Sequence, residues 1–275
     1  MKAIHNIHGI TKAMGMIASF RFKRAENRFS RSRNYFLEME KLVANLAAAT
    51  DIAGPLFEPR KIKTKALVVM TGDKGLCGAY NSNLLKAAVA WLQQNLAFSP
   101  VIIPVAKVGY EFCRKRHIAT ALGYPEKAMV DLELGKKVTS ELKELYLSGK
   151  VDSIEILYAA YRAGTPGRVA TLPFLGLSYL AQQNKDAKET ADYIYEPDFA
   201  TVFVAILERY LEGKIYMMLL ESLTSESSAR MLAMKQATDN AEDVLDNLVL
   251  LRNKTRQATI TRELSEIVAG ANVHA

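Results

Sequence analysis

Three groups of residues in this sequence have the types that chemistry requires. The first is Thr71-Gly-Asp-Lys-Gly-Leu-Cys-Gly-Ala79, which follows an apolar run and precedes a helical one, the position where α/β sheets bind phosphates. Its glycine spacing, G-x-x-G-x-x-G, is neither the dinucleotide fingerprint G-x-G-x-x-G nor the phosphate loop G-x-x-x-x-G-K-[ST]. A tight turn that uses the backbone freedom of glycine is the stronger reading. The second group is the four histidines, His5, His8, His117 and His274. His5 and His8 are one helical turn apart, but no acid or cysteine beside them completes a metal site, and nothing resembles a nucleophile elbow. Cys77 and Cys113 are too few for a disulfide scaffold and lack metal spacing, so both are expected as free thiols. These residues lead to the expectation that the chain is not an enzyme by itself and carries no cofactor and no metal.

The third group is cationic. Of a formal net charge of +7, residues 1–50 hold most: nine Lys and Arg against Glu26, Glu38 and Glu40, a net +6. Such a run is either a solvated helix face or the mate of an acidic surface. Nucleic acid is not expected, because the same helix carries Met14, Met16, Phe22 and Phe29 and no base-stacking module accompanies it.

The elements that must position these groups are unusual in length. Residues from about Phe199 to about Ala271 contain no proline, and a helix over that range would be about 100 Å long, too long for a core element. Leu220, Leu223, Met231, Met234, Ala237, Ala241, Leu245, Leu248 and Leu251 recur at steps that suit a coiled-coil seam. The stripe then lapses through Arg252-Asn-Lys-Thr-Arg-Gln257, a place suited to polar contacts, before Ile260, Leu264, Ile267 and Val268 resume it. A second long helix is predicted from about Ile4 to about Thr50, on Ile7, Ile10, Met14, Ile17, Phe22, Phe29, Phe36, Leu42 and Leu46, ended by Asp51-Ile-Ala-Gly-Pro55. Two unpaired stripes at opposite ends most simply zip together antiparallel, with the middle forming a separate domain. Within the C-terminal helix, Glu221-Ser-Leu-Thr-Ser-Glu-Ser-Ser-Ala-Arg-Met231 is rich in small polar residues, which would let another surface come close.

The middle alternates strand and helix. Strands are predicted at Lys65 to Thr71, Val101 to Val108, Ser153 to Tyr161 and Arg168 to Leu175, the last two as a hairpin. Helices are predicted at about Ser82 to Leu96, Gly109 to Arg116 and Gly135 to Leu147. A polar stretch from Ala181 to Glu196 breaks at Pro197. The fold class is therefore α/β: an antiparallel coiled coil of long N- and C-terminal helices plus a Rossmann-like, doubly wound domain, divided as 1–54, 65–196 and 198–275. No apolar run approaches the ~20 residues of a membrane span, and the N-terminus lacks a secretory signal, so the chain reads as intracellular.

Several blocks resemble the gamma subunit of F-type ATP synthases: Ile10-Thr-Lys-Ala-Met-Gly-Met16, the glycine turn with Tyr80-Asn-Ser-Asn83, Ser225 to Asn240, Asn253-Lys-Thr-Arg-Gln-Ala258, and Ile260 to Ala271. The resemblance implies a rotor shaft inside a ring of three alpha and three beta subunits, where the ATP chemistry occurs. It couples that ring to a proton- or sodium-driven ring in the membrane, with an epsilon subunit beside it. Carried over residue by residue, it implies that Arg256 and Gln257 hold loops of beta. Lys12, Arg21, Lys23 and Arg24 would face acidic segments of beta. Tyr210, Glu212 and Tyr216 would lie in the foot on the membrane ring and epsilon. The chain begins roughly ten residues later than is usual for the family, so either a first helix short at its start or a misassigned start codon is expected. Gly15, Phe22 and Val273 depart from the family pattern. No inserted cysteine pair of the chloroplast kind is present, which points to the cytoplasmic face of a bacterial plasma membrane, with peripheral attachment. The competing reading is a coiled-coil adaptor that carries a nucleotide-sensing α/β domain and binds nucleotide at the loop Gly72 to Gly78.

Overall fold

The structure, a computed structural model, describes residues 1–49, 55–57, 60–126, 130–162, 167–176 and 195–273. Helix α1 spans Lys2–Ala49 and the last helix, α5, spans Phe199–Val273. At 75 residues α5 is about 110 Å long. The two run antiparallel. Thr238 Oγ1 donates to Thr11 Oγ1 at 2.9 Å, Gly15 faces Met234, and Phe36 stacks on Tyr210 and lies against Gly213. As the α1 number rises the partner number falls one for one.

On α1 the seam is a three-four ladder: Thr11, Gly15, Ala18, Phe22, Ala25, Phe29, Ser32, Phe36, Met39, Val43 and Leu46 are all buried or half-buried. This differs from the stripe expected from the large apolar residues, because Ile7, Ile10 and Ile17 are exposed while Ala18 and Ala25 are buried. The physical reason is backbone approach. Beside Gly15, a Cβ would stand 3.5 Å from the Cβ of Met234, so small residues fill the upper seam and aromatic ones the lower.

The middle of the chain supplies β1 (Lys65–Met70), α2 (Tyr80–Gln94), β2 (Val101–Val105), α3 (Lys107–Lys115), α4 (Leu132–Leu147), β3 (Ser153–Ala160) and β4 (Arg168–Leu175). The strand order is β2-β1-β3-β4, with β1 parallel to both neighbours and β4 antiparallel to β3. The predicted hairpin is therefore present, although its tip at 163–166 lies outside the described residues, as do the breakers at 51–54 and most of the polar stretch 181–196. Strand β2 stops at Val105 rather than Val108. The backbone turns at Ala106 (φ 77°), and Gly109 N donates to Thr71 Oγ1 at 2.9 Å, which draws α3 onto the end of β1.

Alternation divides the sheet into two faces. Leu67, Val69, Leu157 and Ala159 pack on α2 and α3. Ala66, Val68, Met70, Ile154 and Ile156 belong to one cluster with α4, the end of α1 and the first third of α5. The separate domain expected between the long helices thus shares its inner core with them. Burying that face needs a cover, and α5 with α4 is the cover.

Candidate functional site

At the carboxyl ends of β1 and β2, where β1 has a parallel neighbour on each side, an open α/β sheet leaves a crevice for ligands. Here α5 fills it. Tyr80 Oη lies 2.7 Å from Ser222 Oγ and donates to Ser222 O at 3.1 Å, while Ser222 Oγ donates to Met70 O. Burial pushes the Tyr80 phenol well above its ordinary pKa, so it serves as a neutral hydrogen-bonding group. Ser222, Thr224, Ser225 and Ser227 are all buried, which explains the run of small polar residues: they admit the carboxyl end of β1 and the start of α2. The glycine turn is drawn into the same joint. Arg230 donates to the carbonyls of Lys74 and Gly75 at 3.3 Å, and a Cβ on Gly72 would stand 2.7 Å from Glu226 Oε1.

The other candidate chemistry disperses. Cys77 and Cys113 are free and buried; burial raises both thiols, Cys113 to about 11, which makes them poor nucleophiles. Among the described residues no three His, Cys, Asp or Glu side chains cluster as a metal site. No helix among them is long and apolar enough to cross a membrane.

Arg21 and Arg24 come together with Lys74, Leu76, Ile17 and Arg230 on the walls of a cleft of about 840 Å³ between α1, the glycine turn and α5. Both arginines are exposed, and neither has a partner among the described residues. Lys12 and Lys23 are exposed on the same helix but outside the cleft, Lys23 reaching Glu26 at 3.9 Å. Sequence reasoning missed Lys74 and Leu76 as cleft residues. The only signal was the left-handed conformation a glycine turn invites, which Leu76 adopts (φ 59°) and which turns its side chain outward.

The three residues assigned to the foot need correction in one case. Tyr210 is 0% exposed: its ring stacks on Phe36 and its hydroxyl donates to Glu40 Oε1 at 3.3 Å, so it forms the lower seam and offers no surface. Glu212 and Tyr216 are half-buried beside Gly135 of α4, and Tyr216 Oη accepts from Arg28 at 3.2 Å. One turn away, Lys214 donates to Pro173 O at 3.2 Å; its burial lowers its pKa to about 8, opposed by Glu40.

At the other end, α1 begins level with the stretch around Leu248, beyond which no other element among the described residues packs on α5. Leu250, Leu251, Ile260, Leu264 and Ile267 are exposed. Arg256 and Gln257 are exposed in the middle of this stretch, with no side-chain partner among the described residues.

Fold and sites together define a shaft protein: a long antiparallel coiled coil carrying an α/β body whose ligand crevice the shaft itself occupies. The model of the family described as ATP synthase matches residues 1–273. The "ATP synthase gamma chain" of Paracidovorax citrulli is 36% identical over 98% of this chain and 96% of that relative, and that of Chlorobium chlorochromatii is 34% identical over 98% and 95%. The chain belongs to the ATP synthase gamma-chain family. In fold it is similar to a chain of the Euglena gracilis mitochondrial ATP synthase (OSCP/F1/c-ring, rotational state 3), with a TM-score of 0.70, 19% identity and coverage of 99% of this chain and 91% of that one. A chain of the Tetrahymena thermophila central stalk and c-ring gives 0.63 at 21% identity, covering 83% and 99%.

Proposed function

We propose that this chain is the central-stalk rotor of an F-type ATP synthase at the cytoplasmic face of a bacterial membrane, non-catalytic itself. It would couple ion flow through a membrane ring to ATP synthesis or hydrolysis on a ring of three alpha and three beta subunits. The observation that carries the proposal is the asymmetry of α5: its base is fixed in the body, while its last turns, with Arg256 and Gln257, extend free. A guanidinium fork and an amide N–H on such a tip can donate directional hydrogen bonds to carboxylates and carbonyls of a surrounding beta subunit. Arg21 and Arg24 in the cleft, with Lys12 and Lys23 beside it, offer positive charge to acidic segments of beta. Glu212 and Tyr216 remain for the membrane ring and epsilon.

A rotor shifts the nucleotide states of its three neighbours only as far as its contacts with them differ, and a shaft whose cleft and body lie off its axis presents a different face to each. The test is ATPase activity of the alpha and beta subunits of the same organism, purified together with and without this chain. Sustained turnover only in its presence, at one copy per three beta subunits, supports the reading. A chain that neither joins the complex nor alters turnover refutes it.

A further inference from the structure

The glycine turn beside the crevice that α5 occupies is held by more contacts than a mere connection needs. Its strained residue, Leu76, is exposed at the cleft, so its own packing does not hold it in the left-handed region. What holds the turn is a side chain of α5. Arg230, one turn from Glu226, is ion-paired to it at 2.7 Å, and both side chains are nearly buried, 12% and 8% exposed. The same Nη2 that meets Glu226 also donates to Lys74 O and Gly75 O, and Nε donates to Gly75 O, each at 3.3 Å. The carbonyl of Lys74 also accepts from Asn81 Nδ2 at 3.3 Å, and Asn81 Oδ1 accepts from Gly72 N at 2.9 Å. Glu226 sits where a Cβ on residue 72 would be, so only glycine lets the carboxylate and its arginine come this close. The fork thus joins three things: a shaft carboxylate and two consecutive turn carbonyls.

We infer that Arg230 is a positioning residue: its planar fork fixes the 73–76 turn as a rigid wall of the Arg21–Arg24 cleft, so that shaft and turn meet a partner as one surface. This rests on the rotor reading above for what the cleft meets, but the fixing itself does not. A structural ion pair would need only a positive charge at position 230. A positioning fork needs geometry: lysine can neutralise Glu226, but its shorter, flexible arm lacks the Nε donor to Gly75 O and the planar group that holds Nη2 against both carbonyls.

The experiment is Arg230→Lys in the full chain, assembled with its alpha and beta partners, read by limited trypsin cleavage after the exposed Lys74 and by coupled ATP turnover. The expected result is cleavage after Lys74 faster by about tenfold, with unchanged helical content, together with a severalfold loss of coupled turnover. Unchanged cleavage in the turn overturns the inference, since lysine then suffices. Faster cleavage with full turnover overturns it too, because the wall's position would not matter. Should the variant fail to assemble, the isolated chains decide: the variant must be cleaved after Lys74 faster than its parent, and equal rates refute the fixing. Failure of the rotor reading is separately visible, as a parent chain that does not alter turnover at all.

Discussion

The base and the tip of α5 are one continuous helix with opposite determinants. From Phe203 to Leu220 the buried residues include Leu211, Ile215, Leu219 and Leu220, each 0–1% exposed, enclosed by α1, α4 and the sheet. From Leu250 to Ile267 the same kinds of residue lie in solvent. The base is fixed by its own chain. The tip packs on no other element among the described residues, so its side chains add little to the stability of the fold.

That difference can be broken most sharply by paired truncations. Leu220→Ala should cost about 2–5 kcal/mol, as a fully buried leucine in a close-packed core does, whereas Leu264→Ala at the tip should change stability by less than about 0.5 kcal/mol. Denaturant unfolding of the two variants checks this, and similar losses would erase the distinction.

A second, smaller effect belongs to the base alone. Lys214 has its pKa lowered to about 8 by burial against an ordinary value of 10.5, so between these pH values the unfolded chain binds more protons than the folded one. Stability from this group is therefore lowest below pH 8 and rises as pH climbs toward 10, by about 1–3 kcal/mol. Lys214→Met should flatten that rise in unfolding experiments across pH 7–10. A rise that persists undiminished in the variant would place its origin elsewhere.

The smallest effect sharpens the comparison within α1. No atom lies within 4 Å of a Cβ on Gly9, so Gly9→Ala should stabilise by about 0.5–1 kcal/mol through helix propensity, a small increase in melting temperature. Gly72→Ala, which meets Glu226 Oε1 at 2.7 Å, should do the reverse by about 1–3 kcal/mol.

Legibility in the sequence followed the same division. Proline-free length and apolar recurrence were sufficient for both long helices, and β-branched runs for the four strands, because these signals are local. The seam of α1 was misread where large side chains drew attention: Ile10 and Ile17 look like core, but close backbone approach is achieved by Gly15, Ala18 and Ala25. Tyr210 was placed on a surface because nothing local records that Phe36, far away in sequence, stacks on it. The glycine turn read correctly as a turn, while its capture by Arg230 is a long-range contact with no local trace. Arg256 and Gln257 were legible as a break in the stripe, since a polar lapse in an apolar pattern survives without knowledge of the partner.

The proposed division of α5 gives its tip a partner to act on and no share in the stability of the fold. Its most direct test is the double variant Arg256→Ala, Gln257→Ala in the assembled complex, measured for torque or coupled ATP turnover alongside the melting temperature of the isolated chain. The account predicts reduced torque or turnover with an unchanged melting temperature. Full torque and turnover, or a lowered melting temperature, would contradict it.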